Sequence, residues 1–274
     1  MNPKHPSEPL TGRLREARSF AVYYGSGHLN VLAQFPLVIV DAEAYTEEQL
    51  RRLQGKHTIA LAYFCLAEDR AHRPTVAWYA LDESGQPMRN ERWDTYLVDV
   101  ANPSWRQHLL GEMAKMRDQG FAGLFLDTVD SAARVDPGGE QTAALIHLLR
   151  QNWREGLFLL NRGFAVLDRI RQAVDGVLFE AFTSRQEGDG LKAWEGADLA
   201  WTESMAERLR ELGLPIFTLD YAPVAGSLRE ACLDRARRWG FVPYVTEDLQ
   251  ALPQASSLPP SRVKKGPPAT QRGV

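Results

Sequence analysis

The sequence has little cysteine, little histidine, no excess charge of one sign and no long apolar run. Its two cysteines, Cys65 and Cys232, stand in no CxxC or Cys/His spacing, so both read as small buried residues rather than a disulfide or a zinc site. Lys plus Arg is 32 against 35 for Asp plus Glu, and a net charge of −3 supplies no basic field to hold nucleic acid. No apolar stretch approaches the roughly 18 residues of a membrane span. Met1 to Pro9 has no apolar core of a signal peptide, which leaves a cytoplasmic chain or one whose export signal has been removed.

What is present is a repeating pattern. With 44% apolar and 24% charged residues in 274, the chain reads as one large globular domain. Eight short apolar runs recur: Phe20–Tyr24, Leu37–Val40, Thr58–Phe64, Ala122–Leu126, Leu157–Leu160, Gly176–Phe179, Pro215–Leu219 and Phe241–Tyr244. They are continuous rather than alternating, as in parallel strands covered on both faces. Stretches of helical period separate most of them, at Thr46–Gln54, Ser104–Gln119, Gly139–Arg154, Phe164–Ala173, Met205–Leu212 and Ser227–Trp239, with a short turn or helix near Leu29–Phe35. Thr46 followed by Gln49 predicts a capping box, and Asn102-Pro103-Ser104 a capped helix start. The pattern predicts a single α/β domain of the (β/α)₈ TIM-barrel type over residues 19–250, with an N-terminal extension, 1–18, and a disordered Pro- and Lys-rich tail, 251–274. The long connection from Leu66 to Leu97 carries Trp78, Tyr79 and Trp93 and is expected to be functional.

Barrels of this type build their sites where strands end. The expected ends supply Tyr24, Asp41, Glu68, Asp127 with Asp130 behind it, Asn161, Glu180, Asp220 with Tyr221, and Tyr244. A ring of carboxylates, tyrosines and one amide suits a sugar, whose hydroxyls need acceptors and whose ring needs flat aromatic faces. Any one of these acids, taken alone, is as readily a helix cap or an arginine partner. Glycoside hydrolysis needs two carboxyl groups, and Asp127 and Glu180 are the best pair. Each directly follows an apolar run, in Gly123-Leu-Phe-Leu-Asp127 and Gly176-Val-Leu-Phe-Glu180, on strands two apart.

The segment Gly120-Phe-Ala-Gly-Leu-Phe-Leu-Asp127-Thr-Val-Asp130 resembles glycoside hydrolase family 114, the endo-α-1,4-polygalactosaminidases, and the related hydrolase domains of Pel-polysaccharide processing proteins. Tyr24-Gly25, Val38-Ile-Val-Asp41, Leu160-Asn161-Arg162-Gly163, Leu219-Asp220-Tyr221-Ala222 and Gly240-Phe-Val-Pro-Tyr244-Val-Thr246 are similar to family segments in the same order. The resemblance implies Asp127 and Glu180 as catalytic carboxylates, and Tyr24, Asp41, Asp130, Asn161, Asp220 and Tyr244 lining the cleft. It implies a polymer of α-1,4-linked galactosamine or N-acetylgalactosamine as partner and an extracellular or periplasmic location. Glu68 and Tyr221 join the cleft by position. A monomer is expected, with no cofactor. The run Phe64-Cys65-Leu66-Ala67-Glu68 replaces the small Ser-Val-Gly-Glu expected of the family, and Arg162 stands where a second Asn is common.

The expected reaction is retaining, with Asp127 as nucleophile and Glu180, beside Phe179 and Phe182, as acid/base. So many acids at one mouth predict a negative cleft that draws an ammonium-bearing sugar. One alternative is a barrel that binds carbohydrate without cleaving it. Another is a metal held by Asp127, Asp130 and a histidine, for which only His28 and His72 are in reach. Trp105, Trp153 and Trp239 read as packing, whereas Trp78, Trp93, Trp194 and Trp201 fall in loop-like stretches and are candidates to stack on sugar.

Overall fold

A computed structural model describes residues 9–70, 77–188 and 190–253. His72 and the tail from residue 254 lie outside the described residues.

All eight apolar runs form strands: β1 (Ala21–Tyr23), β2 (Leu37–Val40), β3 (Ile59–Cys65), β4 (Gly123–Asp127), β5 (Leu157–Asn161), β6 (Gly176–Glu180), β7 (Ile216–Tyr221) and β8 (Val242–Thr246). They lie in sequence order in one sheet, each parallel to the next. Parallel neighbours cannot be joined by a tight turn, so each link returns over the outside of the sheet, mostly as a helix. The outcome is a (β/α)₈ barrel. The seam between β8 and β1 is bridged by the Tyr24 N–H, donating to Leu249 O at 2.8 Å, and by the Tyr244 hydroxyl, donating to Val22 O at 3.2 Å.

The strands are apolar throughout because one face fills the barrel and the other meets the helices. Every residue of β2 and β5 is buried, and the Phe20 ring lies against both Phe217 and Tyr244. A fully buried phenylalanine of this kind contributes about 1.5–3 kcal/mol. Gly123 sets the approach of β4 to β5, since a Cβ there would lie 1.9 Å from Leu157 O.

The helix ends follow local chemistry. Glu47–Gln54 starts in a full capping box, with Gln49 N–H on Thr46 Oγ1 at 3.3 Å and Thr46 N–H on Gln49 Oε1 at 2.8 Å. Asn102 Oδ1 accepts from Ser104 N–H at 2.9 Å at the start of Pro103–Gln119, which stops at left-handed Gly120. Three expectations are corrected. The helix after β6 begins at Gly196 rather than Met205, because its early turns are largely exposed and carry no apolar stripe. The helix expected over Phe164–Ala173 is only Leu167–Ile170. A helix over Leu10–Glu16, where no element is expected, buries Leu14. The link after β3 carries short strands Glu68–Asp69, Arg89–Asn90 and Thr95–Leu97, and the link after β6 a hairpin of Ser184–Glu187 with Gly190–Ala193.

Candidate active site

β4, β5 and β6 end in Asp127, Asn161 and Glu180. The residue after each is not glycine and is nevertheless left-handed: Thr128 at φ 60°, Arg162 at 53° and Ala181 at 55°. Such a conformation costs about 1–2 kcal/mol per residue and persists only where neighbours fix it. They do so here. The Thr128 hydroxyl donates to Asp127 O at 2.7 Å and accepts from the N–H groups of Leu66 and Ala67 at 3.1 and 2.9 Å. Arg162 N–H donates to Leu178 O at 2.9 Å and Ala181 N–H to Leu219 O at 2.7 Å. The chain therefore turns away directly behind three polar side chains and leaves them at the barrel mouth.

These three side chains meet. The Asn161 amide Nδ2 donates to Asp127 Oδ1 and to Glu180 Oε2, each at 2.7 Å. The two carboxylate oxygens are therefore at most 5.4 Å apart, twice that bond length. The Tyr221 hydroxyl donates to Glu180 Oε1 at 2.6 Å, and the Tyr63 hydroxyl, raised by burial and then by the charge of Asp127, lies beside that carboxylate. Tyr24 packs edge-on to Tyr63 at 5.1 Å. Burial, and then the charge of Asp127, push the Glu180 carboxyl above its ordinary range, against the bonds from Tyr221 and Asn161. Burial and the charges of Asp127 and Glu180 likewise raise the Tyr24 hydroxyl, keeping it a neutral donor.

The other expected site residues divide. Asp41 accepts from Glu43 N–H at 3.1 Å and lies 3.8 Å from Arg70 Nη1, whose guanidinium covers the Tyr63 ring at 4.9 Å. Asp130 accepts from Arg162 Nε at 2.8 Å and Gly163 N–H at 3.1 Å, and Arg162 Nη1 donates to Glu180 O at 3.2 Å. The mouth is thus of mixed sign, which corrects the expectation of a uniformly negative cleft: two of its acids come with their own guanidinium groups. Glu68, 3% exposed, accepts from Asn90, Thr95 and Ser131 side chains at 3.0, 2.5 and 2.5 Å, so its oxygens tie the long link to the start of the next one. Asp220 precedes Tyr221 on β7, and successive strand side chains face opposite ways. It points behind the wall, where Oδ1 accepts from the N–H groups of Thr183 and Ser184 at 2.6 and 2.9 Å and burial raises its pKa to about 6. Tyr244 pairs with Leu219, two residues before Tyr221, and its buried hydroxyl is taken up by Val22 O across the β8–β1 seam. Glu68, Asp220 and Tyr244 are not brought to the Asp127–Glu180 pair.

Tyr63, Arg70, Thr128 and Arg162 were not expected at the site. Tyr63 lies inside an apolar strand and reads as core. Only the inward alternation with Phe125 and Asp127 reveals it. Among the tryptophans, Trp78 stacks on His108 at 5.4 Å and donates to Asp69 at 3.0 Å, and Trp194 donates to Ala181 O at 2.6 Å. Trp201, on a helix rather than a loop, is 43% exposed with the Arg162 guanidinium 5.5 Å from its ring. Trp93 is 63% exposed at a turn beneath Arg92. His28 lies edge-on to Tyr23. Among the described residues no cluster of three His, Cys, Asp or Glu side chains is arranged to hold a metal, and no helix is long and apolar enough to cross a membrane.

The profile of glycoside-hydrolase family GH114 matches residues 3–256. The glycoside hydrolase domain of PelA from Pseudomonas aeruginosa superimposes with a TM-score of 0.76 and 28% identity, over 87% of this chain and 98% of that domain. Aspergillus fumigatus Ega3 in complex with galactosamine superimposes with a TM-score of 0.65 at 15% identity, over 87% of this chain and 95% of Ega3, a likeness of fold. An uncharacterized protein of Methanocaldococcus jannaschii is 27% identical over 108 residues, 36% of this chain. This chain spans 31% of that relative's length.

Proposed function

The chain belongs to glycoside-hydrolase family GH114, and from that premise we propose that it is an endo-acting hydrolase of α-1,4-linked galactosamine or N-acetylgalactosamine polysaccharide, working with retention through Asp127 and Glu180. The observation that carries this is the single Asn161 amide shared between the two carboxyl groups. It limits their nearest oxygens to 5.4 Å, which suits the about 5–5.5 Å of retaining pairs better than the about 6.5–9.5 Å of inverting ones.

In this reading Glu180, whose protonated form burial and the charge of Asp127 favour, gives its proton to the glycosidic oxygen while Asp127 attacks the anomeric carbon from the other face. The leaving chain departs and a glycosyl ester forms on Asp127. Glu180, now ionised, takes a proton from water, whose oxygen attacks the same carbon and frees Asp127. Tyr221 and Asn161 stabilise the ionised form of Glu180 that this second step requires. Galactosamine in the Ega3 structure and the PelA likeness support the substrate class. Asp127→Asn and Glu180→Gln should each lower kcat on a galactosamine oligomer by about 10²–10⁴-fold with the fold intact. Unchanged turnover in either variant would remove that residue from the pair, and binding without any product release would favour the non-cleaving reading.

A further inference from the structure

β6 leaves the sheet before β7 does. Leu219 pairs with Glu180, and Ala181 N–H still donates to Leu219 O at 2.7 Å. Ala181 is left-handed, and the chain then departs. In a parallel ladder successive residues address opposite neighbours. Leu219 O is taken from the β6 side, and Ala222 N–H donates to Thr246 O on the β8 side at 3.0 Å. The Tyr221 backbone therefore addresses the β6 side. Continued in register, β6 would have offered it the Ala181 carbonyl and the Thr183 N–H. Those groups are bonded instead to Trp194 Nε1 and to Asp220 Oδ1, each at 2.6 Å. Left unpaired, the Tyr221 N–H and C=O would loosen the end of β7.

Ser184 supplies both missing bonds. It is fully buried, and its hydroxyl donates to Tyr221 O at 2.7 Å and accepts from Tyr221 N–H at 2.9 Å. The serine is held in turn by the residue next to Tyr221, since its own N–H donates to Asp220 Oδ1 at 2.9 Å. Arg235, also buried, fixes the same turn by donating from Nη1 to Phe182 O at 2.5 Å. The residue so clamped is the one whose hydroxyl meets Glu180. We propose that Ser184 is a positioning residue for Glu180: by taking the place of a ladder partner at Tyr221, it keeps the tyrosine hydroxyl on Glu180 Oε1. This rests on the reading of Glu180 as acid/base and adds to it a residue closed off from substrate by burial. The other groups acting on Glu180 are Asp127 at the end of β4, Asn161 and Arg162 at the end of β5 and Tyr24 after β1. The hydrogen bonds of Ser184 go to Asp220, Tyr221 and Cys232, so its influence passes through Tyr221.

Ser184→Ala deletes both bonds to Tyr221 and leaves the backbone bond to Asp220 in place. On a galactosamine oligomer it should lower kcat about three-fold and move the alkaline limb of the kcat/KM profile up by about half a pH unit. In a Tyr221→Phe background the same substitution should leave the limb where it is and change kcat by less than about 1.5-fold, because the hydroxyl it positions is gone. An unmoved limb in the single variant, or effects that multiply in the double one, overturns the proposal and leaves Ser184 a structural residue. Should Ser184→Ala not fold, Ser184→Cys, close in size but a weaker donor and acceptor, carries the same comparison. Carbon NMR of the Glu180 carboxyl in glutamate-labelled protein, its signal identified by loss in Glu180→Gln, follows the titration without turnover. If no oligomer is cut but Ser184→Ala raises that titration and adds nothing to Tyr221→Phe, the positioning stands and the hydrolase reading falls. If the titration stays in place, the proposal falls whether or not the protein cleaves the oligomer.

Discussion

Tyr221 holds its hydroxyl 2.6 Å from Oε1 of Glu180. A donor bonded to a carboxylate favours the ionised form, so this contact works against the burial and the Asp127 charge that raise Glu180. Removing it in Tyr221→Phe should push Glu180 higher still. A general acid works while protonated, so the alkaline limb of the kcat/KM profile should move to higher pH by up to about one unit, while kcat falls about ten-fold as the ionised form loses its partner. A profile that keeps its alkaline limb would mean that another group sets it.

Much of this frame is legible in the sequence. The eight strands are eight continuous apolar runs, and Thr46 and Asn102 mark helix starts by side-chain chemistry alone. Asp127 and Glu180 are visible because each is the first polar residue after such a run. What the sequence hides is which way a strand-end residue faces. Asp220 and Tyr221 are adjacent and go to opposite sides of the wall, and neither identity betrays which. The mixed sign of the mouth was hidden for another reason. Arg70 and Arg162 lie in links, and only folding brings them to Asp41 and Asp130. The hairpin of Ser184–Glu187 with Gly190–Ala193 is mostly polar and only Ser184 in it is buried, so it carries no periodic apolar signal.

Asp220 makes stability depend on pH. Its carboxyl ionises near 3.8 in the unfolded chain and near 6 in the folded one. Below about pH 4 it is protonated in both states. Between these values the unfolded chain loses its proton first, so stability declines as pH rises through the window and levels off above it. Asp220→Asn keeps an oxygen for Thr183 and Ser184 and cannot ionise. Urea denaturation should show the variant gaining about 2–3 kcal/mol relative to the unaltered protein between pH 4 and pH 7. Parallel stability curves would contradict this.

Glu68 should matter for stability rather than for turnover. With Asn90, Thr95 and Ser131 all donating to it, Glu68→Gln replaces charge-assisted bonds with neutral ones and makes the Thr95 hydroxyl turn round to accept from the new amide. The expected cost is about 1–2 kcal/mol, a Tm lower by a few degrees, with kcat/KM changed less than about three-fold. An unaltered Tm with lost activity would place Glu68 on the substrate.

The central claim is that Asp127 and Glu180 act by double displacement. Proton NMR of a defined α-linked oligosaccharide during its first minutes of cleavage reads the anomer as it forms. The account predicts the α-anomer first, with the β-anomer growing only by mutarotation, and the β-anomer appearing first would contradict it.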